Sequence, residues 1–215
     1  TGMERIKFTT SFPRDFHPDI VNAIDEHENL CDWVHLPAQS GSDRVLRAMR
    51  RGHTVADYYS RIAKIKNARR RLAITSDIIV GFPGETETDF QDTMALVEQV
   101  GYDALYIFKS SERPGTPAAK LGDDVTVSEK KARFLELESL QQRLQQKIYE
   151  SYLGRQVQVL AERRSLKSDR DMSGHSTCHK VINFPRASVT AGQVASVRVT
   201  KAKENSLYGE VLSAA

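Results

Sequence analysis

Ser76-Asp-Ile-Ile-Val-Gly-Phe-Pro-Gly-Glu85 decides the fold. An apolar, β-branched run stops at two glycines and a proline, and Thr86-Glu-Thr-Asp89 then opens a helix in the manner of a capping box. A strand that is apolar without alternation is buried on both faces, as in a parallel sheet. His35-Leu-Pro-Ala-Gln-Ser-Gly-Ser-Asp43 repeats the plan: strand, small polar turn, helix. Both turns present backbone N–H groups and hydroxyls at the C-terminal edge of a parallel sheet, where α/β proteins bind nucleotide-like ligands. Two such edges in one chain imply one composite pocket.

Outward from these stretches, strands are expected at 6–10, 33–38, 74–80 and 104–109. Helices are expected at 18–28, 43–50, 54–70 and 86–100. The 54–70 helix starts at Thr54-Val-Ala-Asp57, a capping box with Asp in place of Glu. Strand and helix alternate four times, which argues for parallel βα units and an α/β class. Four strands are too few to close a barrel, so this part is a piece of one or a small open sheet. Thr126-Val-Ser-Glu129 caps a long helix to about 152, with Phe134, Leu137, Leu140, Leu144, Ile148 and Tyr152 at helical spacing. Its other face, rich in Lys, Glu and Gln, reads as solvated. From 155 onward the period becomes two, giving about five short strands that suggest a small antiparallel β-barrel of the oligonucleotide-binding type.

Composition allows one large or two small domains, and 40% hydrophobic content excludes a chain disordered as a whole. The net charge of +3 is unevenly spread. Residues 155–215 carry 10 Lys/Arg and 5 Asp/Glu, a net of +5; the rest carries 21 and 23, a net of −2. A polyanion would meet the C-terminal part first, although a solvated basic surface has the same composition. The two cysteines, Cys31 and Cys178, form neither a disulfide framework nor a metal motif. The six histidines are scattered, and a nucleophile elbow and a phosphate loop are absent. No apolar run reaches membrane-span length and no signal peptide is visible, so a cytoplasmic setting is expected. Thr1-Gly2 leads almost directly into a strand, from which a longer parent protein is expected.

Gly81, Phe82, Pro83 and Gly84 let a flat ligand approach the strand end, where a backbone amide and carbonyl can pair with an adenine edge; an ordinary tight turn is the other reading. Gln39, Ser40 and Ser42 suit ribose hydroxyls, and Ser42 equally suits a helix N-cap. Arg50 suits either a bidentate clamp on a carboxylate or the C-terminus of its helix. Arg163, Arg164, Lys167 and Arg170 read as one basic loop, with Lys180, Arg186, Arg198, Lys201 and Lys203 on later strands and turns. Phe184 and Tyr208 could stack on unpaired bases; Phe184 fits the barrel core better.

Phe8-Thr-Thr-Ser11, Pro13-Arg-Asp-Phe16, His35–Asp43, Met49-Arg-Arg-Gly52, Ser76–Thr86 and Arg113-Pro-Gly-Thr-Pro-Ala-Ala119 together resemble the radical S-adenosylmethionine (SAM) methylthiotransferases. Val181-Ile-Asn-Phe184 and Ser206-Leu-Tyr-Gly-Glu210 are similar to the branch that methylthiolates C2 of isopentenylated adenosine beside the anticodon of tRNA. Phe12, Ala38 and His179 depart from the residues usual at those places. The resemblance implies the later strands of a partial TIM-like (βα) barrel over 1–120, a connecting helix over 121–152, and a TRAM domain over 153–215. It implies SAM held by Gln39, Ser40, Ser42, Asp77 and 81–84, to which the residue reading adds Arg50, and tRNA, through its anticodon stem-loop, held by the small barrel, where the basic residues Arg163, Arg164, Lys167, Arg170, Lys180, Arg198, Lys201 and Lys203 are the candidates. It also implies two 4Fe-4S clusters in the intact enzyme. Their cysteines are expected upstream of Thr1, so that this chain ligates neither and is inactive alone. A ribosomal-protein aspartate or another tRNA adenosine as substrate, or an RNA-binding module without catalysis, are the alternative functions.

Overall fold

A computed structural model describes residues 2–9, 12–112, 115, 121–166, 168–186 and 189–214. The chain divides into two compact units. One comprises Phe8–Glu26 and Val34–Leu144; the other comprises the opening segment to Lys7, His27–Trp33, and everything from Gln145 onward.

In the first unit, β1 (Trp33–His35), β2 (Ala73–Val80) and β3 (Ala104–Lys109) form a sheet in that order. β2 and β3 run parallel, pairing Asp77 with Tyr106 and Ile79 with Phe108. Helices α1 (Asp19–Glu26), α2 (Asp43–Ala48), α3 (Val55–Lys66) and α4 (Glu87–Val100) connect and flank them. The expected capping boxes form at Thr54/Asp57 and Thr86/Asp89. Ile74, Ser76, Ile78 and Val80 are buried on one face of β2, where Ser76 meets the Tyr58 hydroxyl of α3. Tyr102 donates to Tyr58 at 2.9 Å, and Tyr58 donates to the carbonyl of Leu36 at 2.8 Å. This buried chain of hydroxyls ties α3 to the strand ends with every donor satisfied.

The expected strand at 6–10 is instead a single parallel bridge, Ile6 with Leu30. Ile6 is gripped from Asn29 and Cys31 and belongs to the second unit, so the alternation leaves three strands in the sheet. Thr10 and Ser11, like most of 113–120, lie outside the described residues.

Helix α5 (Val127–Glu150) opens with the expected capping box, Thr126 and Glu129 bonding one another's backbone N–H. In the second unit, β4 (Gln156–Ser165), β5 (Ser168–Ser176), β6 (Val181–Pro185), β7 (Val194–Ala202) and β8 (Leu207–Ala214) close a barrel in the order β4-β5-β6-β8-β7. Its core holds Val159, Met172, Ile182, Phe184, Val197 and Leu207. The barrel is mixed, not wholly antiparallel: β6 and β8 run parallel. Five strands in a closed ring cannot all alternate direction, so at least one pair must be parallel.

The basic loop expected around 163–170 is a hairpin. Arg163 and Arg164 lie on β4 and Arg170 on β5. Strand β5 escapes sequence reading because Ser, Asp, Gly and His replace apolar residues; only Met172 fills the core as a large side chain. Gly174 faces inward where β4 passes so closely that a Cβ would collide with the Leu160 carbonyl.

Candidate functional site

The turns after β1 and β2 lie side by side. The amide of Gln39 donates to the carbonyl of Asp77 at 2.8 Å, and the amide of Ile79 donates to Gln39 at 2.9 Å. The two glycine-containing turns therefore share one edge of the sheet.

The first turn is clamped onto α4. The amide of Gly41 donates to Thr93 Oγ1 at 2.9 Å, and a Cβ at Gly41 would collide with the backbone of Asp92 and Thr93. The Ser40 hydroxyl lies 3.4 Å from that of Thr93 and accepts from the Ser42 amide. Ser42 caps α2 and donates to Asp89 at 2.6 Å. Both serine hydroxyls are buried and partnered inside the protein, so at these two positions the turn presents backbone to a ligand. Burial works to raise the Asp89 pKa, but hydrogen bonds from Arg44, Ser42 and Thr86 outweigh it and hold the carboxyl well below its ordinary range.

The second turn has positive φ at Gly81 (69°) and Gly84 (78°), backbone that glycine adopts without strain. The Gly81 amide donates to Glu85 Oε2 at 2.7 Å, and Glu85 pairs with Arg133 of α5 at 2.9 Å. The Lys130 stem lies against Gly81 where a Cβ would stand, and the Lys130 ammonium reaches the Ser110 carbonyl at 3.2 Å. Asp124 accepts from the Gly84 amide at 2.6 Å. Phe82 is buried and Pro83 half-buried. Lys130 and Arg133 thus belong to the buried face of a helix whose charged residues read as solvated; no sequence signal separated these two from the rest.

On the other face of β2, Thr75 is buried and Asp77 and Ile79 are half-buried. His35 Nδ1 lies 3.0 Å from Thr75 Oγ1, and His35 Nε2 lies 3.5 Å from Asp77. Tyr106 meets His35 edge-on at 6.0 Å. Tyr106 and Phe108 are 51% and 52% exposed, which leaves two aromatic rings open on this face. Arg51 donates to the Gln39 side chain at 2.9 Å; burial lowers its pKa, and the Asp77 carboxylate works against that by favouring its charge. Arg50 is exposed and stands in left-handed backbone, φ 56°. The guanidinium that bonds Gln39 is that of the next residue. His35, Arg51, Tyr106 and Phe108 were not singled out by sequence; pairing across the sheet, which sequence does not display, brings them together.

In the barrel, Arg163, Arg164, Arg170, Arg198, Lys201 and Lys203 are exposed, and Lys167 lies outside the described residues. Lys180 is buried at 3% exposure, its ammonium over the rings of Tyr149 and Tyr152 at 5.6 and 5.3 Å. Its charge is directed at aromatic faces within the unit, not at solvent, which removes it from the phosphate-binding set. Phe184 is fully buried and Tyr208 is half-buried.

A parallel sheet with paired glycine turns at one edge, followed by a small closed barrel, defines a class. Residues 2–97 match the Radical SAM superfamily and residues 150–212 match the TRAM domain. Over 98% of its length it is 44% identical to the tRNA-2-methylthio-N(6)-dimethylallyladenosine synthase of Alkalilimnicola ehrlichii and 43% identical to that of Acetivibrio thermocellus. It covers 47% and 44% of those two proteins, about half the length of the curated relatives it matches. In fold it is similar to coproporphyrinogen III oxidase of Escherichia coli, a radical SAM enzyme, with a TM-score of 0.52 at 14% identity over 97% of this chain and 52% of that one.

The donors at the sheet edge fit SAM. A guanidinium suits its carboxylate, the Asp77 carboxylate suits ribose hydroxyls or an ammonium, and glycine backbone and an exposed tyrosine suit a flat base. An iron–sulfur cluster does not fit this chain. Such a cluster is held by several thiolates; the sequence has two cysteines, both buried, and no group of three metal-ligating side chains is found among the described residues.

Proposed function

We propose that this chain is the adenosyl-binding and RNA-binding portion of a tRNA methylthiotransferase that acts on C2 of a dimethylallyl adenosine beside the anticodon. The observation that carries the reading is the shared edge formed by the turns at Gln39 and Gly81. Bound there, SAM supplies hydrogen-abstracting and methyl-donating chemistry. Gln39 and 81–84 cup the adenosine, Asp77 accepts from the ribose, and Arg51 holds the carboxylate in the role first assigned to Arg50. Ser40 and Ser42 act by fixing the backbone of the first turn. Arg163, Arg164, Arg170, Arg198, Lys201 and Lys203 hold tRNA phosphates, with Lys167 assigned to the same set by sequence alone. We assign residues 1–120 to the partial barrel, 121–152 to the connecting helix and 153–215 to the TRAM domain.

With too few thiolates for a cluster, the chain does not methylthiolate tRNA by itself. A cytoplasmic setting fits the tRNA substrate; no helix among the described residues is long and apolar enough to cross a membrane. The test is binding of an anticodon stem-loop as salt is raised. Affinity should fall steeply with salt, and paired Ala substitutions at Arg198 and Lys201 should lower the slope of log affinity against log salt by about 1 to 2. Salt-independent binding, or none, contradicts the tRNA reading.

A further inference from the structure

Two of the basic residues stand at the ends of a row that crosses the barrel. The register aligns Arg163 of β4 with Ser173 of β5, Ser173 with Asn183 of β6, Asn183 with Tyr208 of β8, and Tyr208 with Lys201 of β7. Ser173, Asn183 and Tyr208 lie on the side opposite the core, because their neighbours Met172, Ile182, Phe184 and Leu207 are buried, and Arg163 and Lys201 are exposed. Side chains in neighbouring strands stand about 4.8 Å apart, so this row crosses the barrel as a continuous band, cationic at both ends and polar or aromatic between.

A groove of about 340 Å³ opens along the band, lined by Arg163, Ser173, Asn183, Lys203, Asn205 and Tyr208 among others. This volume is near the lower end for small-ligand pockets and has room for one nucleoside. Among the described lining residues the single carboxylate is Asp171, and it accepts from the Tyr208 hydroxyl at 3.2 Å. That bond fixes the ring and occupies the carboxylate. The Lys203 ammonium lies over the same ring at 5.0 Å. The lining therefore offers cations for phosphate and the Asn183 side-chain amide, which can donate and accept at once; the Asn205 oxygen already accepts from Gln145 at 3.3 Å. An amide is the side chain that reads the paired donor and acceptor on a base edge.

We propose that this groove takes a single unstacked nucleotide of the bound RNA, with Asn183 reading its base edge, the Tyr208 ring forming one wall, and Arg163 and Lys203 holding the flanking phosphates. The assignment rests on the RNA-binding reading above and adds a base-selective subsite to it. Phosphate contacts alone are indifferent to sequence, whereas this subsite makes the barrel discriminate.

The experiment measures binding of fluorescent single-stranded pentanucleotides of each base, and of a duplex of equal charge, to the full 215-residue chain and to Asn183→Ala, Asn183→Asp and Tyr208→Phe. The wild type should prefer one base and bind the duplex more weakly. Asn183→Ala should weaken the preferred oligomer about tenfold and level the four bases, since one well-made base contact is worth about that factor. Asn183→Asp keeps the shape, repels phosphate and should weaken binding further, while Tyr208→Phe frees the Asp171 carboxylate toward the groove and should weaken all four oligomers alike without levelling the bases. Equal affinity for all four bases in the wild type, or no change in Asn183→Ala while the anticodon stem-loop still binds, overturns the subsite and leaves the tRNA reading intact. Failure of the wild type to bind either the stem-loop or any oligomer overturns both.

Discussion

Arg51 Nη2 donates to Gln39 Oε1 across 2.9 Å, although twelve positions and the whole of α2 separate the two residues. Gln39 stands in left-handed backbone at φ 72°, and that conformation aims its side chain across the edge toward the arginine. Arg51 is half-buried; that burial lowers its pKa, while the Asp77 carboxylate partly offsets it. Substituting Arg51 by Ala should weaken SAM binding roughly tenfold or more, the worth of a charge-assisted hydrogen bond, whereas Arg50→Ala should leave it nearly unchanged. Isothermal titration of both variants separates the two arginines.

Much of the fold was legible because each βα turn carries its own local signature. The capping boxes at Thr54 and Thr86, the buried run 74–80 and the long helix after Thr126 all follow from short-range chemistry. The bond from Arg51 to Gln39 was not legible, since two adjacent arginines carry no signal that separates them. Strand β5 was missed because close backbone passage at Gly174 takes the place of apolar side chains. Lys180 was misplaced because a basic residue in a basic segment reads as surface, and the tyrosines that cover it come from α5 and the turn just after it. At the candidate site, the turns were visible in sequence; the open aromatic face was not, because it is assembled by pairing Asp77 with Tyr106 and Ile79 with Phe108.

Glu85 and Arg133 form a buried pair, with side chains 1% and 9% exposed. Arg133→Met leaves the carboxylate buried without its counter-charge and should cost about 3–5 kcal/mol. Glu85→Gln combined with Arg133→Met should recover most of that loss. Burial raises the Glu85 pKa against the opposing effects of the Gly81 amide and Arg133. Stabilisation from this group is complete below the ordinary Glu value and declines as pH rises through the folded value. Urea denaturation between pH 4 and 7 should show that decline steepened in Arg133→Met and absent in Glu85→Gln.

Asp89 behaves oppositely. Its depressed pKa stabilises the fold above the ordinary Asp value, and the contribution is lost as pH falls through the folded value. Asp89→Ala removes the α4 capping box and the partners of Ser42 and Arg44 together. It should cost roughly 2–4 kcal/mol, read as a lower urea midpoint at pH 7 and a smaller difference from wild type near pH 2.

His179 packs on His175 with ring centroids 4.3 Å apart and faces Trp33 at 5.9 Å. Burial, then the charges of Lys7 and His175, lower its pKa to about 4. The neutral ring is the folded form, so its stabilisation is complete above the ordinary His value and fades as pH falls toward 4. His179 also stands at φ 60°, a conformation that Asn tolerates. His179→Asn should therefore fold and should flatten the loss of stability between pH 6.5 and pH 4, measured by urea midpoints.

The adenosyl-binding edge is tested most directly by amide chemical-shift mapping of the ¹⁵N-labelled chain titrated with SAM. Gln39, Asp77, Gly81, Phe82, Gly84 and Tyr106 should shift together along one saturating curve, and the same titration of Arg51→Ala should require a markedly higher SAM concentration. Shifts confined to residues of the C-terminal barrel, or none at millimolar SAM, would contradict the account.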